Sequence, residues 1–463
     1  MPVEGRSLSS RPTQDVARNG KLGNLSIPPS VQKLQTALHV KAKENPSFRF
    51  YALYDKLYRE DILRFAYESC KANAGAAGVD EERFADIKAY GEERWLGELV
   101  QELREQKYRP DAVRRVFIPK PNGKLRPLGI PPIRCRTVQM AAVLVLGPIF
   151  EADLQPEQHA YRPKRNALTA VKQVHKLLTT GHTHVVDADL SAYFDNIPHF
   201  ELLKSVARRV VDRQMLHLLR MWLKAPVEEI DERGRKKRTT RNRDEKRGSP
   251  QGSPLSPLLS NIYMRRFILG WKRLGHAQRY QAHIVNYADD LVICCQGDAE
   301  EALQTMRQMM GQLKLGVNEE KTRLCQVPRE HFDFLGYTFG RCYSPKTGRP
   351  YIGTTPSKKS VKRVVGSIHE LTARRTGLWD TDFLVGKLNN QLRGWAHYFK
   401  LGPVSKAYIR LDRYTKARLR RWLRIKHKIR RGRRLPFSDE YLYETLGLVR
   451  LRSFTRNLPW AIA

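Results

Sequence analysis

A chain of 463 residues with 84 Lys and Arg against 47 Asp and Glu carries a formal net charge of +37. That excess points to a polyanionic partner, nucleic acid before a membrane surface, and no apolar run approaches the roughly 18 residues a bilayer span needs. The six cysteines form no Cys-x-x-Cys pair, which excludes a zinc ribbon or dithiol redox motif and fits buried thiols in a reducing cytosol.

The length allows two to four domains and a sizeable core. Residues 1–30 are polar, show no secretory leader, and are expected to be a disordered tail; Glu4 and Asp15 argue against an organellar transit peptide. Apolar spacing predicts helices over 31–45 and 50–73, then another through Leu96, Leu99, Val100 and Leu103. Residues 114–131 read as a β-hairpin with a Pro-Asn-Gly-Lys turn and basic edges. Such a hairpin is either a charge-guarded edge strand or a clamp on a triphosphate. Helices are predicted over 136–150 and 164–179, with a basic, aromatic loop at 158–163 between them.

In 183–198 a short apolar strand (Val185, Val186) runs into Asp187 and Asp189, which the two-residue strand period puts on one face. Asp189, at the strand end, is the better placed for a metal. A long helix is predicted over 199–224. Residues 231–247 are almost wholly charged, an exposed loop or hairpin that is either simply solvated or adds a phosphate contact. A Gly- and Pro-punctuated loop, 248–257, leads into a helix over 258–271.

The stretch Asn286-Tyr287-Ala288-Asp289-Asp290-Leu291 lies between two apolar strands, so a tight turn projects adjacent carboxylates. Two like charges near apolar strands are costly to ionise unless a cation joins them, and paired divalent ions serve in-line displacement at phosphorus. Alone, such a pair reads equally as a solvated turn. A helix over 298–315 and strands over 323–327 and 332–339 follow. A shift to Pro, Gly, Lys and Thr at 345–356 reads as a domain boundary. Three helices are predicted beyond it, over 358–375, 380–400 and 405–430. Between Lys406 and Arg434 there are 14 Lys and Arg against one acid, Asp412, with aromatics interleaved. That composition suits either an RNA-binding face or an amphipathic helix whose aromatics are core.

Taken in order, segments 72–80, 118–131, 159–171, 187–197, 248–263, 287–290, 315–322 and 334–337 resemble the reverse transcriptases encoded by group II introns, which also act as maturases. The run Leu388-Asn389-Asn390-Gln391-Leu392-Arg393-Gly394-Trp395 is similar to the maturase signature of their thumb. The resemblance covers most of the chain. It implies an α+β fold of the right-hand polymerase type, with fingers and an antiparallel palm sheet followed by a helical thumb. The implied divisions are an N-terminal extension at 31–80, fingers at 81–182, palm at 183–345, thumb or maturase domain at 346–430, and a basic DNA- or RNA-binding segment at 431–463.

The resemblance also implies roles. Asp189 and Asp289, with Asp290 and the Leu190 carbonyl, would hold two Mg²⁺. Lys120 and Arg126 would bind the dNTP triphosphate, Phe194 would gate the sugar against a 2′-hydroxyl, and Gln251 would pack at the nucleotide. Lys321 would donate a proton to pyrophosphate, and Phe334-Leu335-Gly336-Tyr337 would be the primer grip. Arg114, Arg115, Arg393, Trp395, Arg420, Arg421 and Arg424 are the candidate RNA contacts.

The implied partners are group II intron RNA, an RNA template with a DNA primer, dNTPs and target DNA, in a bacterial cytoplasm close to the nucleoid. The family's cysteine-bearing C-terminal endonuclease is expected to be missing, since no cysteine follows Cys342. Two other readings use the same residues: a relative adopted by its host for DNA repair or phage defence, and an RNA-binding splicing factor with incidental polymerase activity. Three converging carboxylates argue against the latter.

Overall fold

The run Leu291-Val292-Ile293-Cys294-Cys295 has no polar alternation, the mark of a strand covered on both faces. In the computed structural model, which describes residues 21–22, 25–119, 125–230, 235–344, 347–429 and 437–457, that is its situation. Strand Asp290–Cys295 lies between His184–Ser191 and Ala282–Tyr287, antiparallel to both. The short strands Gly316–Val317 and Arg323–Gln326 pair with the far side of His184–Ser191.

The two faces of this palm sheet belong to two different cores. Val186, Ala188, Leu190, Leu291 and Ile293 pack into a core built on helices Ile133–Glu151, Ser256–Arg273 and Ala299–Gln312. Val185, Val285, Val292 and Cys294 pack with helix Ala167–Thr179 and the three C-terminal helices. Those three, the thumb helices Lys358–Leu371, Thr381–Tyr398 and Ser405–Lys426, fall where the sequence predicts them. Helix Ile133–Glu151 is long and apolar enough to cross a membrane (hydropathy 1.4), against the sequence expectation, but 83% of its 18-residue apolar stretch is buried inside the protein. Five of the six cysteines are buried.

A second sheet has the order Leu125–Ile130, Val113–Pro119, Val227–Ile230, Lys236–Thr239. The described part of the charged stretch is therefore a strand, Lys236–Thr239, and a one-turn helix, Arg241–Asp244. The hairpin turn itself, with Lys120, lies outside the described residues.

Several expectations are corrected. The helix expected over 50–73 starts only at Glu60, after a single turn at Tyr54–Lys56, and the one expected over 199–224 is two, His199–Ala207 and Arg213–Leu223. One residue accounts for both. The Asp212 carboxylate accepts from the Met215 amide at 3.0 Å, capping the second helix. It also accepts from the amides of Leu53 and Tyr54 at 2.7 and 2.8 Å.

The strand expected over 332–339 is a hairpin, Phe332–Phe334 against Tyr337–Tyr343. Its two-residue turn, Leu335 and Gly336, has φ of 50° and 80°, the pattern that matches strand twist. Pro350–Pro356, in the stretch read as a domain boundary, is a strand paired along its length with Tyr337–Tyr343. Within the polar N-terminal segment, Lys21–Leu22 pairs with Leu25–Ser26 and a helix begins at Pro29; residues 1–20 lie outside the described residues. The described part of the basic C-terminal segment is partly core, with Leu442, Leu448 and Leu451 buried against the thumb.

Candidate active site

Strand register brings together carboxylates that are a hundred residues apart in sequence. Asp189 and Asp290 are direct partners across the central ladder, so their side chains leave the same face. Asp289 occupies the two-residue turn between Tyr287 and Asp290, beside Ala288 at φ 58°. A non-glycine residue in that left-handed region is strained and needs outside support. Asn286 supplies it: its buried side-chain amide donates to the carbonyls of Ala288 at 2.9 Å and Asp290 at 3.2 Å. The Asn286 backbone is held in turn by the Glu157 carbonyl and the His159 amide, both at 2.9 Å.

Burial pushes Asp290 up to about 7, and the neighbouring Asp289, Asp189 and Asp187 charges add to the rise. Asp289 is raised as well, by burial and then by Asp189, while the Arg126 and Lys321 charges oppose the shift. Lys321 Nζ donates to Asp189 at 2.8 Å, and that bond holds the ammonium in its charged form. Asn318 donates to the same Asp189 oxygen at 3.1 Å and, through its amide, to the Asp189 carbonyl at 2.8 Å. The Leu190 amide donates to the Asp289 carbonyl at 3.2 Å, which locks strand to turn.

Among the described residues no three His, Cys, Asp or Glu side chains are already gathered as a metal cage. The donor set nonetheless fits a hard divalent cation. It consists of oxygens only, its charge is too concentrated to be comfortable, and a lysine ammonium already lies against one carboxylate.

Phe194, Gln251 and Arg126, expected at the nucleotide, lie on segments joined through the backbone. Phe194 is half-buried in the one-turn helix Tyr193–Asn196, which follows Ala192 at φ 46°. Its carbonyl accepts from the Ser249 amide at 2.8 Å. Two residues on, the Gln251 carbonyl accepts from the Gly129 amide at 2.5 Å, tying this loop to the strand that carries Arg126. A β-carbon at Gly252 (φ 112°) would lie 2.3 Å from the Gly129 carbonyl oxygen, so only glycine permits this approach. Burial raises Tyr161 to about 12, helped by the Asp289 charge, which places its phenol near the carboxylates.

Phe334-Leu335-Gly336-Tyr337 forms the hairpin tip docked on the thumb. Tyr398 donates to the Leu335 carbonyl at 2.8 Å, Tyr337 to the Tyr398 carbonyl at 2.5 Å, and Ser360 to the Gly336 carbonyl at 2.9 Å. Burial pushes the Tyr398 phenol up, and the Tyr287 and Asp290 charges add to the rise.

The proposed RNA contacts do not gather. Trp395 is buried, 4.7 Å from the Phe399 ring, so it offers no face to a base. Arg420 bonds the Phe437 carbonyl and pairs with Asp439, and Arg115 pairs with Glu229 at 3.0 Å. Arg114 donates to the Ala77 carbonyl at 3.4 Å. Arg393 and Arg421 are exposed and Arg424 is half-exposed. Asn286, Asn318, Tyr161 and Tyr398 are site residues that the sequence did not single out for a role.

A carboxylate-bearing antiparallel sheet, a basic strand pair tied to the loop beside it and a helical domain docked through a hairpin tip are the parts of a nucleic-acid polymerase of the right-hand class. Residues 118–339 match the family model for reverse transcriptase (RNA-dependent DNA polymerase), and residues 361–437 match the group II intron, maturase-specific domain. The chain belongs to the group II intron-encoded reverse transcriptases and maturases.

It is 31% identical over 372 residues to protein YkfC of Escherichia coli, covering 71% of this chain and 93% of that protein. It is 29% identical over 360 residues to the group II intron-encoded protein LtrA of Lactococcus lactis, covering 64% of this chain and 58% of LtrA. With the putative COX1/OXI3 intron 1 protein of Saccharomyces cerevisiae it shares 25% identity over 354 residues, 65% of this chain and 41% of that protein. The chain thus spans little more than half the length of LtrA.

Proposed function

We propose that this chain extends a DNA primer on an RNA template, and that it binds group II intron RNA to promote splicing and movement of the intron into target DNA. The carrying observation is the pairing of Asp189 with Asp290 across one ladder, with Asp289 in the adjoining turn. Two Mg²⁺ are the proposed cofactors, held by Asp189, Asp289, Asp290 and the Leu190 carbonyl; when bound they would stabilise charge on the attacking and leaving oxygens.

The chain's own residues do the rest. Arg126 sets positive charge opposite the triphosphate, and Lys120 is its proposed companion. Lys321 keeps a proton at Nζ for the departing pyrophosphate. The Phe194 ring lies under the sugar and rejects a 2′-hydroxyl. The hairpin tip at Gly336 steadies the primer from the thumb side.

Primer extension on an RNA template with Mg²⁺ and dNTPs tests this. Wild type should extend, and Asp289→Asn, nearly isosteric but uncharged, should fall by at least a thousandfold with its melting temperature kept. Equal extension by both would remove the site. No extension by wild type, with RNA binding intact, would leave only the maturase half of the reading.

A further inference from the structure

The loop over 248–257 holds three buried serines, Ser249, Ser253 and Ser256, and each hydroxyl has a partner. Ser249 donates to the Ser256 hydroxyl at 2.6 Å, and Ser256 donates in turn to the Pro250 carbonyl at 2.8 Å. The same carbonyl accepts from the Ser253 amide at 3.2 Å, which closes a four-residue turn with Gln251 second and Gly252 third. A turn of this kind needs a positive φ at its third residue, and Gly252 has 112°. The Ser253 hydroxyl leaves the loop altogether. It donates at 2.8 Å to the side-chain oxygen of Gln139, on helix Ile133–Glu151.

Gln139 is 4% exposed and Ser253 6%. Two other buried polar side chains on this helix are spent elsewhere: Thr137 donates to the Ile133 carbonyl of its own helix, and Arg136 to the Ala76 carbonyl. A buried amide and hydroxyl are costly to take out of water, and an apolar pair of the same shape would hold the fold about as well. What the polar pair adds is direction. A hydroxyl and an amide oxygen bond only over a narrow range of distance and angle, so the turn is fixed in one place relative to the helix.

That place is a joint. On one side the Gln251 carbonyl accepts from the Gly129 amide, on the strand Leu125–Ile130 that carries Arg126. On the other the Ser249 amide donates to the Phe194 carbonyl. Only Pro131 and Pro132 separate the Arg126 strand from the helix of Gln139. Strand, helix and turn are therefore tied at two points, and the Gln139–Ser253 bond is the side-chain tie.

We propose that Gln139 and Ser253 are positioning residues for nucleotide binding. Both are buried and act through the Gln251 turn, which their bond holds between the Arg126 strand and Phe194. The inference rests on the polymerase reading above and concerns how tightly that site takes its dNTP.

The test is steady-state primer extension on an RNA template with dNTP concentration varied, alongside thermal melts, for wild type, Ser253→Ala, Gln139→Leu and the double variant. Each single change should raise the KM for dNTP roughly tenfold and leave kcat within about twofold. Each leaves one buried group unpaired and should melt lower, whereas the double variant leaves neither and should melt no lower than the singles. Its KM should stay as high as in either single, because only one interaction has been removed. Ser253→Ala, which deletes a single oxygen, carries the test if Gln139→Leu does not fold. A KM that returns to the wild-type value as the double variant recovers its melting temperature overturns the proposal, since the bond would then serve stability alone. An unchanged KM in Ser253→Ala, or a loss confined to kcat, overturns it too. Wild type that extends no primer would withdraw the polymerase reading and this inference together.

Discussion

Asn286 works at the scale of two hydrogen bonds. Its amide donates to the carbonyls on either side of Asp289 and so holds the catalytic turn with Ala288 left-handed. Removing it leaves two carbonyls short of a donor, a cost of about 1 to 3 kcal/mol. Asn286→Ala should lower kcat in primer extension while the KM for dNTP holds, because it positions the carboxylates without touching nucleotide; steady-state kinetics checks this. Phe194→Val should open the sugar pocket and admit ribonucleotides, read as the ratio of dNTP to rNTP incorporation. An unchanged ratio removes the gate assignment.

Both residues were in view in the sequence, but a turn's internal hydrogen bonds depend on dihedral angles that the sequence does not display. Trp395 shows the converse. It continues the Leu388 and Leu392 stripe at spacings of four and three, so the helical period itself assigns it to the core, where it is found.

At the scale of elements, the catalytic hairpin is clamped by the loop before helix Ala167–Thr179. Glu157 and His159 bond the Asn286 backbone, the Gln158 amide reaches the Asn261 carbonyl at 2.9 Å, and buried Arg162 holds Glu151 at 2.7 Å. His159 bonds the Thr169 hydroxyl at 2.9 Å, and burial lowers its pKa to about 4.

The sign follows from that depression. Above pH 6.5 the histidine is neutral in both folded and unfolded chains and has no effect. As pH falls from 6.5 toward 4, only the unfolded chain takes the proton, so stability is lost, by about 3 kcal/mol over the full window. Urea unfolding between pH 7 and 4.5 should show a shallower decline in His159→Gln than in wild type. The sequence marks 158–163 as a basic, aromatic loop. It does not say that the loop clamps a turn more than a hundred residues away, because nothing local encodes that contact.

Across the whole molecule, palm and thumb are joined through the hairpin tip. The Tyr337 hydroxyl donates to the Tyr398 carbonyl and the Tyr398 hydroxyl to the Leu335 carbonyl, and a β-carbon at Gly336, φ 80°, would lie 2.9 Å from the Ser360 hydroxyl oxygen and 3.3 Å from the Phe399 ring. Gly336→Ala should cost about 1 to 2 kcal/mol from the left-handed backbone alone and push the thumb off the tip. The expected readout is a lower melting temperature together with shorter products per binding event in primer extension with a trap. Full-length products would show that the tip does not steady the primer.

The sequence by itself determined what local chemistry can express. The both-faces-buried strand, the Asp-Asp turn, the three thumb helices and the basic charge excess all follow from residue type and period. Only the tertiary structure decided which of these chemistries meet. Asp189 joins Asp290 because two distant strands share a register, and Asp212 breaks two predicted helices because its carboxylate has amides from both to satisfy. Four cations on Ser405–Lys426 find partners across the fold, and five make no ion pair among the described residues. Strand register and ion pairing over long separations are set by the packing of the whole chain, and no window of sequence contains them.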